Sequence, residues 1–188
     1  KLGEIETFTK DGVRVSGQEI AADMVIFATG FAKDYARLFE PDVMKRLDVQ
    51  KDGLYLYKHI LPPSVPGLAF VGSECATIFN CTNSGLQAEW LARALAGETM
   101  QDLSEEAMTA EMRAFRDFAR SWMPETSSRS ALVLLHQLHY YDQLLKDMGE
   151  NPSRKSNLVA EYLGSYYSRD YNNIVGRTAS APKVEQLA

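Results

Sequence analysis

The chain has 188 residues, 45% of them apolar, and a formal net charge of −5, enough to bury the core of one domain or slightly more. No Lys/Arg cluster is dense enough to track phosphates, which argues against nucleic acid as a main partner, and runs such as residues 131–135 are far too short to cross a bilayer. Cys75 and Cys81 have neither the C-x-x-C nor a zinc-site spacing, so the expectation is two buried thiols and a cytoplasmic chain without a signal peptide.

Residues 4–9 and 13–16 alternate around Lys10-Asp11-Gly12, which predicts a β-hairpin with Gly12 at positive φ. Ile5, Phe8, Val13 and Val15 are its expected buried face. The stretch that organises the rest comes next, at residues 22–31, where Met24, Val25, Ile26, Phe27 and Ala28 stand between Asp23 and Thr29-Gly30. An unbroken apolar run predicts a short strand of a parallel sheet, covered on both faces. Its carboxyl end, at Gly30, is where open α/β sheets hold ligands. The expected fold class is therefore α/β.

Residues 33–51 give a mixed signal, with Pro41 interrupting a short helical pattern. Residues 54–58 alternate as a strand would, and residues 68–71 read as a buried strand ended by Gly72. Residues 73–82 are too polar and irregular for an element. A helix is expected from Ser84, because Ser84-Gly85-Leu86-Gln87 fits a capping box. Its apolar face is Leu86, Trp90, Leu91, Ala94 and Leu95, and Gly97 ends it.

Beyond Gly97 the patterns become long and helical. Ser104 with Glu105 and Glu106 marks a helix start, and Met108, Met112, Phe115, Ala119 and Trp122 form a stripe. After a polar break at residues 124–130, helices are expected over residues 131–148 and 157–167, then a polar tail over residues 168–188. His136 and His139 could in principle share a metal, but no third ligand is evident and packing on an amphipathic helix is the expected role, so no metal is assigned.

Residues 23–31 resemble the D-x-V-I-x-A-T-G-Y/F segment of flavin-containing monooxygenases and their Baeyer–Villiger relatives. Two further blocks agree in order: Leu56-Tyr57-Lys58-His59-Ile60-Leu61-Pro62-Pro63 with Pro66-Gly67-Leu68-Ala69-Phe70-Val71-Gly72, and Leu86-Gln87-Ala88-Glu89-Trp90-Leu91-Ala92-Arg93. Residues 140–149 and 154–157 resemble the family's C-terminal region. The family's G-x-G-x-x-G loops for FAD and NADPH and its F-x-G-x-x-x-H fingerprint do not occur in these residues, so the likeness is to the C-terminal portion of such an enzyme.

The resemblance implies the end of an FAD/NADPH-binding core over residues 1–98, incomplete by itself, and a helical C-terminal region over residues 99–188. It implies that FAD and NADPH serve a monooxygenase that moves one oxygen atom from O2 to a soft nucleophile through a flavin hydroperoxide. The substrate would be an amine or a sulfide, or a ketone in the Baeyer–Villiger variant, and the chain would be inactive alone. Partners would be the remaining N-terminal part of the enzyme or a second copy, and a truncated, non-catalytic interaction module is the alternative. Cofactor contacts are implied for Thr29, Gly30, Gly72, Thr77, Asn80, Asn83 and Gln87; no catalytic residue is assigned. The family's P-T-x-E-L-Q pattern is here Thr82-Asn83-Ser84-Gly85-Leu86-Gln87. Asn83 and Ser84 would cap a helix, Asn83 would meet the flavin, or both.

Overall fold

The computed structural model describes residues 3–27, 34–73, 80–99, 103–123 and 136–174. They fall into two compact units, Lys1–Leu38 and Phe39–Ala188. The first is a three-stranded antiparallel meander of β1 (Ile5–Thr9), β2 (Gly12–Val15) and β3 (Gln18–Ala21), followed by a 3-10 turn at Tyr35–Arg37. The hairpin forms as expected, with Thr9 opposite Gly12. Gly12 itself is not at positive φ. A side chain there would place its Cβ 2.0 Å from the Ile20 carbonyl oxygen, so close approach of β3 excludes one. Positive φ falls instead on Ser16 (50°) and Gly17 (71°) in the β2–β3 turn, the pattern of a two-residue hairpin loop matched to strand twist.

The burial expected of this unit is only partly found. Val13 is buried, while Ile5 and Phe8 are exposed. The apolar run after β3 forms no strand among the described residues, and Ile26 is 80% exposed. A strand covered on both faces needs hydrogen-bonded neighbours and a layer on each side. Among the described residues, 22–27 pair with no other strand, and the Phe27 ring meets that of Phe8 at 6.0 Å. Ala28, Thr29, Gly30 and Phe31 lie outside the described residues.

The second unit is built on helices α1 (Pro41–Leu47), α2 (Asn80–Leu95), α3 (Glu105–Trp122), α4 (Gln137–Asp147) and α5 (Leu158–Leu163). Pro41 begins α1 rather than interrupting it, because the first helical position has no N–H to lose. Ser104 Oγ caps α3 by accepting from the Ala107 N–H at 3.3 Å, and Asn157 caps α5 in the same way at 2.9 Å. Schellman-type bonds close α2 (Glu98 N–H to Arg93 O) and α4 (Glu150 N–H to Leu145 O). α5 stops at Leu163, short of the expected residue 167, and residues 131–135 lie outside the described set. No helix among the described residues is long and apolar enough to cross a membrane.

The core lies between α2 and α4. Leu86 and Trp90 of α2 meet Tyr140, Tyr141, Leu144 and Leu145 of α4, with Tyr57 and Ile60 from the segment between α1 and α2. That segment, Leu54 to Tyr57, is buried on all sides without forming a strand. Residues 68–71 form no strand either, and Val71 is exposed. At the far end Tyr171 and Ile174 close the same core, so residues 168–174 are a structural seal, not a polar tail.

α3 is tied to the central segment by an ion pair. Arg120 donates from Nε to Asp52 Oδ2 and from Nη2 to Oδ1, each at 3.0 Å, and Tyr55 Oη donates to Oδ2 at 2.7 Å. The Arg120 guanidinium, helped by Tyr55 and opposed by burial, holds the Asp52 carboxyl down at about 2. Burial foremost, then the Asp52 carboxylate, pushes the Tyr55 hydroxyl up to about 12.

Exposure and burial set opposite expectations for two substitutions. Ile26→Asp should alter the stability of this chain by no more than about 0.5 kcal/mol, whereas Trp90→Ala should cost roughly 3–5 kcal/mol in chemical denaturation. Because the Asp52 carboxyl is depressed from 3.8 to about 2, its contribution is complete above the unfolded value and is lost as pH falls through the folded one. Asp52→Asn should therefore remove about 2 kcal/mol at neutral pH and flatten the acid limb of a melting-temperature profile.

Candidate functional site at the start of α2

The first two turns of α2 carry Asn80, Asn83 and Gln87 at a spacing that puts them on one helical face. α2 starts at Asn80, so the capping box expected at Ser84 is not formed. The Gln87 amide is used elsewhere. Its Oε1 accepts from the Gly72 N–H at 2.7 Å, and its Nε2 donates to Tyr140 Oη at 2.9 Å and to the His59 carbonyl at 3.4 Å. Tyr140 in turn donates to the Lys58 carbonyl at 2.7 Å. One fully buried amide thus fixes the loop at Gly72, the Lys58-His59 turn and α4 together.

Gly72 is where that loop meets α2. Its φ is +76°, and an added Cβ would lie 2.7 Å from Ser84 Oγ. Both observations require glycine, and they hold the backbone against the first turns of the helix.

Asn83 is the unusual residue. It is fully buried, yet among the described residues neither Nδ2 nor Oδ1 has a hydrogen-bond partner. Each unmet amide group costs on the order of 1–3 kcal/mol, and the N-terminal end of a helix carries partial positive charge. The arrangement can accept a group that offers both a hydrogen-bond acceptor and a donor. Asn80 is exposed at the same end. Thr77, like Thr29, Gly30 and Cys75, lies outside the described residues. Cys81 is a free, exposed thiol rather than a buried one.

A second polar stitch joins the Lys58 turn to α2, α3 and α4. Lys58, with 6% of its side chain exposed, pairs with Glu111 Oε1 at 2.7 Å and with Asp147 Oδ2 at 3.2 Å. Trp90 Nε1 donates to the same Asp147 oxygen at 3.1 Å. Burial pushes the Asp147 carboxyl upward, against the pull of Lys58 and Trp90. Sequence reasoning missed these roles of Lys58 and Tyr140. The available signal was a Lys-His pair embedded in a run of apolar residues between two strong turn signals.

His59 is buried with its ring edge-on to Phe115 at 4.6 Å and to Tyr140 at 5.1 Å. His136 stands just before α4 against Trp122 at 5.3 Å, and His139 contacts Gln143 at 3.1 Å. Among the described residues no three His, Cys, Asp or Glu side chains are grouped to hold a metal ion.

A family model described as FMO-like, flavin-binding monooxygenase-like, matches residues 4–162. The chain is 30% identical to the probable flavin-containing monooxygenase 1 of Arabidopsis thaliana, a match covering 82% of this chain and 29% of that protein. It is 26% identical to the FAD-dependent monooxygenase DEP4 of Fusarium langsethiae, covering 91% of this chain and 37% of that one. Among solved structures it shares the fold of the S-allyl-L-cysteine S-oxygenase from Allium sativum, with a TM-score of 0.58 at 23% identity over 78% of this chain and 33% of the other. The chain thus spans about a third of the length of these relatives.

The two amides of α2 should behave oppositely on removal. Gln87→Leu strands the Gly72 N–H and should cost about 2–4 kcal/mol. Asn83→Leu deletes groups that lack a partner among the described residues. It should leave stability unchanged or raise it by about 1 kcal/mol, a gain of roughly 2–4 °C in melting temperature.

Proposed function

We infer that this chain, which belongs to the flavin-binding monooxygenase-like family, is the C-terminal part of an FAD- and NADPH-dependent monooxygenase. The whole enzyme transfers one oxygen atom from O2 to a soft nucleophile, an amine or a sulfide. Residues 1–98 supply the end of the cofactor core and residues 99–188 the helical region. The names of the relatives support FAD, and the likeness of residues 23–31 to the family's segment, with Thr29 and Gly30 among the implied cofactor contacts, supports NADPH.

The observation that carries the reading is Asn83, whose buried amide has no partner among the described residues. The edge of a flavin ring presents carbonyl acceptors beside an N–H donor, and a carboxamide complements both. Asn83 would hold that edge, the N–H groups of the first turn of α2 would favour electron density there, and Gly72 would let the backbone come close. Gln87 acts behind them as a positioning residue, since its amide is engaged by Gly72, Tyr140 and His59. Bound flavin supplies the activation of O2 and the oxygen transfer; this chain orients the ring and limits water around it.

No G-x-G-x-x-G loop occurs in these 188 residues, so the pyrophosphate anchors belong to the rest of the enzyme. The exposed Met24, Ile26 and Phe27 fit a stretch that the same remainder covers. The chain by itself is therefore inactive.

The test compares the chain alone with the complete enzyme. The chain alone should elute from gel filtration with little flavin absorbance, and a stoichiometrically yellow protein would contradict the reading. In the complete enzyme Asn83→Leu should lower bound FAD, or the ratio of oxygenated product to hydrogen peroxide, without lowering the melting temperature of the FAD-free protein. Unchanged occupancy and coupling would remove Asn83 from the flavin site.

A further inference from the structure

A cavity of about 340 Å³ lies among α3, the Lys58-His59 turn and the beginning of α4. Gly72, Asn80, Asn83 and Gln87 do not line it, so a ligand held there touches none of the described residues assigned to the flavin. Its volume is at the small end of the range for ligand pockets, roughly 300–1,000 Å³. That accommodates one ring with a short arm and excludes a dinucleotide.

The wall is largely aromatic. Phe115 and Trp122 descend from α3 on the stripe that the sequence marks, Phe118 joins them from the same helix, and Tyr140 lines the cavity from α4. Phe118 and Trp122 remain 51% and 41% exposed, although their rings contact each other and His136 at 5.3–6.3 Å. Large rings left open around a cavity mouth are apolar surface that a ligand can cover.

The polar end has a definite sign. Lys58 sits between two carboxylates, Glu111 at 2.7 Å and Asp147 at 3.2 Å. Lys58 and Glu111 both line the cavity, but the Lys58 side chain is 6% exposed and the Glu111 side chain 44%, so the carboxylate is the charge presented to a ligand. A cationic head is therefore favoured there by the carboxylate and by the faces of the surrounding rings, and an anionic head is repelled.

We propose that this cavity is an accessory binding site for a small aryl-ammonium compound, its ring among Phe115, Phe118 and Trp122 and its head at Glu111. Binding is non-covalent, and no bond is made or broken.

Three probes with one ring and different heads test this on the full chain by calorimetry at pH 8: benzylamine, benzyl alcohol and benzoate. Benzylammonium should bind saturably at one site, benzyl alcohol about tenfold more weakly, and benzoate more weakly still. Glu111→Gln keeps the side-chain size and leaves Lys58 paired with Asp147. It should weaken benzylammonium by about tenfold and leave benzyl alcohol unchanged. Phe118→Ala, at a half-exposed position, should weaken both probes without changing the melting temperature. Equal binding of the three probes, no saturation by benzylammonium, or identical affinities in wild type and Glu111→Gln would each overturn the proposal.

Discussion

Everything around the candidate site depends on one buried carboxamide. Gln87 is fully enclosed, and its oxygen and nitrogen join Gly72, His59 and Tyr140, groups that lie far apart in the chain. A polar group withdrawn from water must find partners inside, so these contacts form together or leave several groups stranded. The position of the Gly72 loop relative to α2 is set by that requirement. So is the Lys58-His59 turn, where two successive non-glycine residues hold φ near +50°. Such backbone costs on the order of 1–3 kcal/mol per residue. It persists here because Tyr140 takes the Lys58 carbonyl and two carboxylates take its ammonium.

The features legible in the sequence are those with local causes. The first hairpin, the Ser104 cap, the glycine closure of α2 and the α3 stripe arise from side chains a few residues apart. Where the cause is remote, local reading fails. Residues 54–58 alternate like a strand, but they are enclosed on all sides and turned by bonds to α2 and α4. Met24 to Phe27 carry the apolar run of a doubly covered strand, yet burial is a property of neighbours, and none of the described residues pairs with them as a strand. Tyr171 and Ile174 are two isolated apolar residues in a polar stretch, too sparse to announce the end of a core.

The site shows the same division. Ser84 and Gln87 have the spacing of a capping box, but α2 begins a turn earlier, and the glutamine serves the tertiary network instead. Asn83 stood in the sequence as either a cap or a ligand contact. It is buried without a partner among the described residues, so its side chain caps no N–H of its own helix. A buried amide with nothing to bond is a standing cost to the fold, and such costs are typically retained at functional sites. On the proposed reading, the flavin edge would supply the acceptor and donor that Asn83 lacks among the described residues.

The most direct measurement is the NMR signal of the two side-chain amides in the complete, 15N-labelled enzyme, with FAD removed and then restored. On adding FAD the Asn83 amide should shift and become protected from exchange, while the Gln87 amide, already bonded within the protein, should stay nearly unchanged. A Gln87 amide that moves with FAD while Asn83 does not would contradict the roles assigned to both.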